Sequence, residues 1–112
     1  MERQKMECQK YGQHGHLASI LSNHEGELLS RHILNSYPNV ESFWIGLRDR
    51  LKKGRWRWAD SSTSMFKAWE GGAPKSVDAS GFCAYLSIHQ DFQQWNDAFC
   101  NTRMAYICEF EL

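Results

Sequence analysis

Short β-strands are the dominant pattern in the second half of the chain. Residues 43–47 form an almost unbroken apolar run of strand length, which predicts a strand that is buried on both faces. Residues 54–58 alternate with a period of two, so Trp56 and Trp58 should share one face while Arg55 and Arg57 share the other. Further strands are predicted over residues 82–87 and 103–110, with a turn at 61–64 and a long loop at 70–81.

The first half of the chain is predicted to be mainly helical. Residues 2–11 contain good helix formers and should form a short helix that ends at Gly12, and residues 16–20 predict a short strand. Ser22 and Glu25 stand at the spacing of a capping box, which predicts the start of a second helix that ends before Pro38. The apolar face of this helix is predicted from a period near 3.6 to contain Leu28, Leu29, His32 and Ile33.

The composition indicates one globular domain over residues 1–112. The chain is 42% hydrophobic and 13% aromatic, which is enough for a packed core at this length. Mean hydropathy is −0.60 and there is no long apolar run, so no membrane span is predicted. The formal net charge is zero, which argues against nucleic acid as a partner. The charge is uneven locally, because residues 48–57 contain six Lys or Arg and a single Asp.

The chain has four cysteines, and no two of them form a Cys-x-x-Cys pair: Cys8, Cys83, Cys100 and Cys108. An even number of cysteines in a small aromatic-rich domain favours two disulfides and therefore an oxidising compartment. Four cysteines allow three pairings, and their spacing alone does not choose among them. The charged start of the chain, residues 1–5, contains no apolar signal segment, in conflict with that compartment.

Several motifs in order along nearly the whole chain resemble the C-type lectin-like domain. They are Cys8 to Gly12, His16 to Ile20, Trp44-Ile45-Gly46-Leu47, Trp56-Arg57-Trp58, Cys83, Trp95-Asn96-Asp97, and Cys100 to Cys108. The residues that precede Cys83, from Gly72 to Asp78, are similar to the regenerating-protein (lithostathine) branch of secreted single-domain lectins. The resemblance implies an α+β C-type lectin-like fold with two helices, small antiparallel sheets and a long loop region.

The same resemblance implies disulfides between Cys8 and Cys108 and between Cys83 and Cys100. It also implies an extracellular, secreted protein. The chain departs from the family pattern at its start, where the N-terminal hairpin of the family is missing, so we expect an N-terminally truncated domain.

Sugar-binding members of the family share one Ca²⁺ between an acidic or amide Pro triplet, an acidic residue before a cysteine, and an Asn-Asp pair after Trp. Asn96 and Asp97 match the last of these and are weak calcium candidates. The triplet here is Ala73-Pro74-Lys75, and Gly81 and Phe82 precede the cysteine, so most of the six to eight oxygens that Ca²⁺ requires are missing. We therefore expect a degenerate calcium site and no cofactor, although Glu70 and Asp78 could act as replacement ligands.

The resulting hypothesis is a carbohydrate-binding module that is calcium-independent and not an enzyme, since no catalytic arrangement of side chains is evident. The expected contacts to a glycan or anionic glycoconjugate are Arg55, Arg57, Glu70, Lys75, Asn96 and Asp97. The alternative is a protein-interaction or extracellular-matrix and mineral-associated domain, which would bind a receptor or itself. The basic stretch 48–57 also fits a solvated hairpin, and the tryptophans fit a core, with Trp69 and Trp95 the ones expected to be partly exposed.

Overall fold

A five-stranded sheet dominates the computed structural model, which describes residues 16–49, 56–71 and 82–109. The strands in chain order are β1 (His16–Leu17), β2 (Ser42–Asp49), β3 (Arg57–Trp58), β4 (Phe82–Ser87), β5 (Trp95–Phe99), β6 (Ala105–Tyr106) and β7 (Cys108–Glu109). The large sheet has the order β3-β2-β4-β5, with β6 paired in parallel to β2, and β1 and β7 form a separate antiparallel pair. Helix α1 (Asn23–Ser36) and a 3₁₀ turn (Ile88–Gln90) complete the described elements.

Strand β2 is buried on both faces, as its apolar run predicts. Residues 43–47 are all buried. Because side chains alternate along a strand, Phe43, Ile45 and Leu47 enter the larger core cluster, whereas Trp44 packs with Leu17 and Cys83 in a second cluster. The central sheet therefore separates two apolar layers.

Helix α1 begins where the capping box predicts. The Ser22 hydroxyl accepts from the Glu25 backbone N–H at 3.2 Å, and the Glu25 carboxylate accepts from the Leu21 N–H at 3.1 Å. The predicted buried face is wrong in part, because Leu28 is 50% exposed and His32 is exposed. The helix buries Ile33 as predicted and also Ser30, whose hydroxyl donates to the Asp91 carbonyl at 2.6 Å. The helix predicted over residues 2–11 lies outside the described residues.

The first described strand crosses closely over β2. Only His16–Leu17 of the predicted strand 16–20 is in β1, since Ala18 already turns toward β2 and accepts from the Gly46 N–H at 2.8 Å. A Cβ at Gly46 would lie 2.8 Å from the Leu17 carbonyl oxygen and 3.2 Å from that of Ala18. The absence of a side chain at Gly46 is therefore what allows the two segments to touch.

The single strand predicted over residues 103–110 is two strands in the structure. Ala105 and Tyr106 pair with β2, and Cys108 and Glu109 pair with β1. The break falls at Ile107, whose carbonyl accepts from the Ala18 N–H at 3.0 Å. This segment consequently joins the two sheets.

The disulfide between Cys83 and Cys100 is confirmed, with a Cα–Cα distance of 5.1 Å. Cys108 is also disulfide-bonded, and Cys8, its expected partner, lies outside the described residues. In the part of the chain that the structure describes, no helix has the length and apolar character needed to cross a membrane.

Candidate binding site

The Asn-Asp pair lies in a strand rather than in a loop. Strand β5, which the sequence pattern missed, pairs antiparallel with β4, so that Asn96 is opposite Tyr85 and Asp97 is opposite Ala84. Residues 68–70 run beside the start of β5: the Trp95 N–H donates to the Ala68 carbonyl at 2.7 Å, and the Glu70 N–H donates to the Trp95 carbonyl at 2.9 Å. This pairing brings Glu70 next to Asn96 along the strand edge.

The two side chains of the pair point away from each other. Neighbouring residues in a strand project to opposite faces. Tyr85, opposite Asn96, packs on the second core cluster, whereas Ala84, opposite Asp97, belongs to the larger one. The Asn96 amide nitrogen also donates to the Gln90 side-chain oxygen at 2.9 Å. Asn96 and Asp97 are therefore not arranged as two ligands on one face.

The described residues, 16–49, 56–71 and 82–109, contain no cluster of three imidazole, thiolate or carboxylate groups that could hold a metal ion. The triplet 73–75, Asp78 and Gly81 lie outside these ranges. Ca²⁺ prefers six to eight oxygens, and the described oxygen-bearing side chains near β5 are those of Glu70, Asn96 and Asp97.

Trp95 is a core residue and not an exposed platform. It is 1% exposed, and its ring contacts those of Trp58, Phe66 and Trp69 at centroid distances of 5.4, 5.8 and 5.5 Å. The expectation of partial exposure is thus wrong for Trp95, because it lies at the centre of an aromatic cluster. Trp69 is partly exposed as expected.

The predicted contact residues fall at two edges of the sheet. Arg57 is exposed on β3, at the opposite end of the strand order from Asn96 and Asp97 on β5. Three strand spacings of about 4.8 Å separate these edges by about 14 Å. Arg55 and Lys75 lie outside the described residues. The four described residues, Arg57, Glu70, Asn96 and Asp97, therefore do not converge on one small ligand.

Arg57 lines a cavity that the sequence pattern did not identify. The cavity has a volume of about 470 Å³ and is lined by Trp56, Arg57, Trp58, Ser62, Thr63, Ser64, Met65 and Lys67. Residues 61–67 alternate between exposed and partly buried positions, which places Thr63, Met65 and Lys67 on the exposed side. The sequence does not reveal this alternation, since residues 61–64 are all polar and residues 65 and 66 are both apolar.

A model of the Lectin C-type domain matches residues 1–110 of the chain. This chain belongs to the C-type lectin domain family. The lectin domain is 35% identical over 106 residues to human regenerating islet-derived protein 4, covering 95% of this chain and 65% of that protein. The chain thus spans less than two thirds of that relative's length.

The solved structures agree with this assignment. The structure of human lithostathine superposes on this lectin domain with a TM-score of 0.88 at 33% identity, covering 96% of this chain and 81% of that chain. Ovocleidin-17, a major protein of the calcified layer of the Gallus gallus eggshell, gives a TM-score of 0.84 at 27% identity, with coverage of 99% and 84%. The α+β C-type lectin fold and the resemblance to the regenerating-protein branch are confirmed.

Proposed function

We propose that this lectin domain recognises glycans without a bridging calcium ion and without catalysis. The observation that carries the proposal is the position of Asn96 and Asp97 at successive residues of β5, opposite Tyr85 and Ala84, which directs their side chains to opposite faces of the sheet. An amide and a carboxylate that project to opposite faces are poorly arranged to share one ion. The cation Lys75 in the family's ligand triplet is in keeping with this proposal.

The proposed contacts divide into two groups by chemistry. Glu70, Asn96, Asp97 and Lys75 would exchange hydrogen bonds with sugar hydroxyls, since carboxylate, amide and ammonium groups together offer both acceptors and donors. Arg55 and Arg57 would contact negatively charged substituents, for which the guanidinium fork is suited. We further propose an oxidising, extracellular location, which the disulfide between Cys83 and Cys100 supports.

The proposal is tested by titrating calcium and glycans into the oxidised protein. Calorimetry should give no saturable heat at millimolar calcium, and glycan-array binding should be the same in calcium and in EDTA. Asp97→Asn is the diagnostic variant and Asp91→Asn, at an exposed position, is its matched control. Saturable calcium binding that is lost in Asp97→Asn and kept in Asp91→Asn would restore the calcium-bridged mechanism.

The alternative function is association with a mineral or protein matrix without sugar. It is favoured by the similarity to ovocleidin-17, whose source is a calcified layer. The absence of binding to any glycan on the array, together with saturable adsorption to calcite crystals, would support this alternative. Selective binding to a group of related glycans would exclude it as the main role.

A further inference from the structure

We propose that the cavity beside β3 is a binding site for sugars that carry a tetrahedral oxyanion ester, such as a sulfate or a phosphate. The inference rests on the proposed glycan recognition and assigns a ligand class to the Arg57 edge of the sheet. The volume of about 470 Å³ lies within the range of roughly 300–1,000 Å³ that is typical of ligand pockets.

The charges of the cavity favour an anion. Arg57 and Lys67 both line it, and none of the lining residues is acidic. Neither cation makes an ion pair with a carboxylate of the described residues. Arg48 lies directly opposite Arg57 in the β2–β3 register, so a second arginine is attached to the same strand face.

The neighbouring carboxylate, that of Asp60, is bound to groups other than Arg57 and Lys67. The two oxygens of Asp60 accept from the Ser19 hydroxyl and from the Ser62 backbone N–H, each at 2.9 Å. Asp60 therefore orders the start of the 62–67 segment without lining the cavity. Asp60 therefore does not neutralise Arg57 and Lys67 within the cavity.

The remaining lining groups suit a sugar rather than a bare ion. Ser64 is occupied, since its hydroxyl donates to the Leu21 carbonyl at 2.9 Å and accepts from the Phe66 N–H. Thr63 lies on the exposed side of the segment with Lys67, where its hydroxyl can donate to an ester oxygen. Trp56 is partly exposed, and its ring is held by an edge contact with Trp69 at 4.8 Å. An aromatic side chain held in this way offers an apolar surface for the C–H face of a sugar ring.

The arrangement predicts how the ester would bind. The Arg57 fork can donate two parallel hydrogen bonds to two ester oxygens, and Lys67 supplies a point charge to the third. The Nε1 of Trp56 is buried, so the sugar would contact the exposed part of the indole ring and not this nitrogen. No metal ion is required at any of these contacts.

The test uses three probes of one sugar: N-acetylglucosamine, its 6-sulfate and its 6-phosphate. Titrations are followed by ¹H–¹⁵N NMR on the oxidised full chain, with the Trp56 indole signal assigned by Trp56→Phe. We expect at least one ester to bind about tenfold more tightly than the plain sugar and to shift the Trp56 indole signal. The Trp44 indole, buried on the other face of β2, should not shift.

Charge-matched variants separate the cavity from general electrostatic attraction. The double variant Arg57→Gln with Lys67→Gln should reduce ester affinity to that of the plain sugar. The control double variant, Arg31→Gln with Arg103→Gln, removes the same charge from exposed positions that do not line the cavity and should retain the preference. The tighter ester shows which oxyanion the cavity prefers.

Three outcomes overturn the inference. These are the absence of any preference for either ester, an equal loss in both double variants, or ester binding that leaves the Trp56 indole signal unchanged. The glycan array decides the proposed function separately in the first case. Binding of neutral glycans on the array would leave the proposed function standing, and a lack of binding to every glycan on it would refute both.

Discussion

Replacing Gly46 by alanine should be among the most destabilising single-methyl additions in this domain. The new Cβ would lie 2.8 Å from the Leu17 carbonyl oxygen, 3.2 Å from that of Ala18 and 3.3 Å from the Leu17 carbonyl carbon. All three are backbone atoms, so no side chain can rotate away to make room. The clash also opposes the 2.8 Å hydrogen bond from the Gly46 N–H to the Ala18 carbonyl.

The magnitude follows from these two contributions. Overpacking a core typically costs about 1–3 kcal/mol, and a weakened backbone hydrogen bond adds about 1 kcal/mol. Gly46→Ala should therefore lower the free energy of unfolding by about 2–4 kcal/mol. Urea denaturation of the oxidised protein, followed by tryptophan fluorescence, measures this as a shift in midpoint at unchanged slope.

Gly26→Ala is the matched control, since it adds the same methyl group. Its Cβ would meet only the Ile20 methyl carbon at 3.5 Å, an ordinary contact, and it lies within helix α1. Alanine is favoured over glycine in a helix by about 1 kcal/mol, so this variant should be more stable than the parent protein. If Gly46→Ala is as stable as the parent, the close crossing of β1 over β2 is not as described.

Four further predictions concern the cap, the disulfide, the aromatic cluster and the arginine pair. Ser22→Ala should cost about 1 kcal/mol in urea denaturation because it removes the acceptor for the Glu25 N–H, whereas Ser36→Ala at the other end of α1 should be nearly neutral. Replacing Cys83 and Cys100 together by alanine should cost about 3 kcal/mol, the chain-entropy value for the sequence separation of 17; no loss would mean that the unfolded chain is not constrained by this bond. Trp95→Ala should cost about 3–5 kcal/mol in the same assay, and a loss below 1 kcal/mol would contradict its place in the aromatic cluster. Arg57→Gln should change stability by less than about 1 kcal/mol, since Arg57 is exposed and its removal relieves at most a surface repulsion with Arg48 across β2 and β3, and a larger decrease would show that Arg57 has a stabilising role.

The elements that the sequence predicted well are those in which local pattern and burial agree. Strand β2 is apolar at every position from 43 to 47 and lies between two apolar layers, so its composition and its environment point the same way. The start of α1 was predicted correctly because a cap depends on residues only three positions apart. The buried face of α1 was predicted only in part. Ser30 is buried and its hydroxyl donates to the carbonyl of Asp91, a contact between residues far apart in the chain that the local period does not reveal.

Strand β5 was missed because its sequence does not alternate. Residues 95–99 contain two polar residues followed by two apolar ones, and the segment becomes a strand only because β4 pairs with it on one side. The same long-range pairing buries Trp95, which the sequence placed near the surface. The candidate site was therefore predicted by residue type but not by geometry, since the two edges of the sheet are defined by pairings far apart in the chain.

The split of the C-terminal segment into β6 and β7 also has a consequence for how the domain folds. Phe43 pairs with Ala105, and His16 pairs with Glu109, so both sheets include contacts that close most of the described chain into loops. Such contacts have a large entropic cost of loop closure, and they slow the folding of small domains. Neither sheet can reach its native pairing on the ribosome until the segment 105–109 has emerged. The antiparallel β4–β5 pair and the disulfide beside it join residues that are closer in sequence. They can therefore form earlier and place Trp95 of the aromatic cluster before β6 and β7 pair.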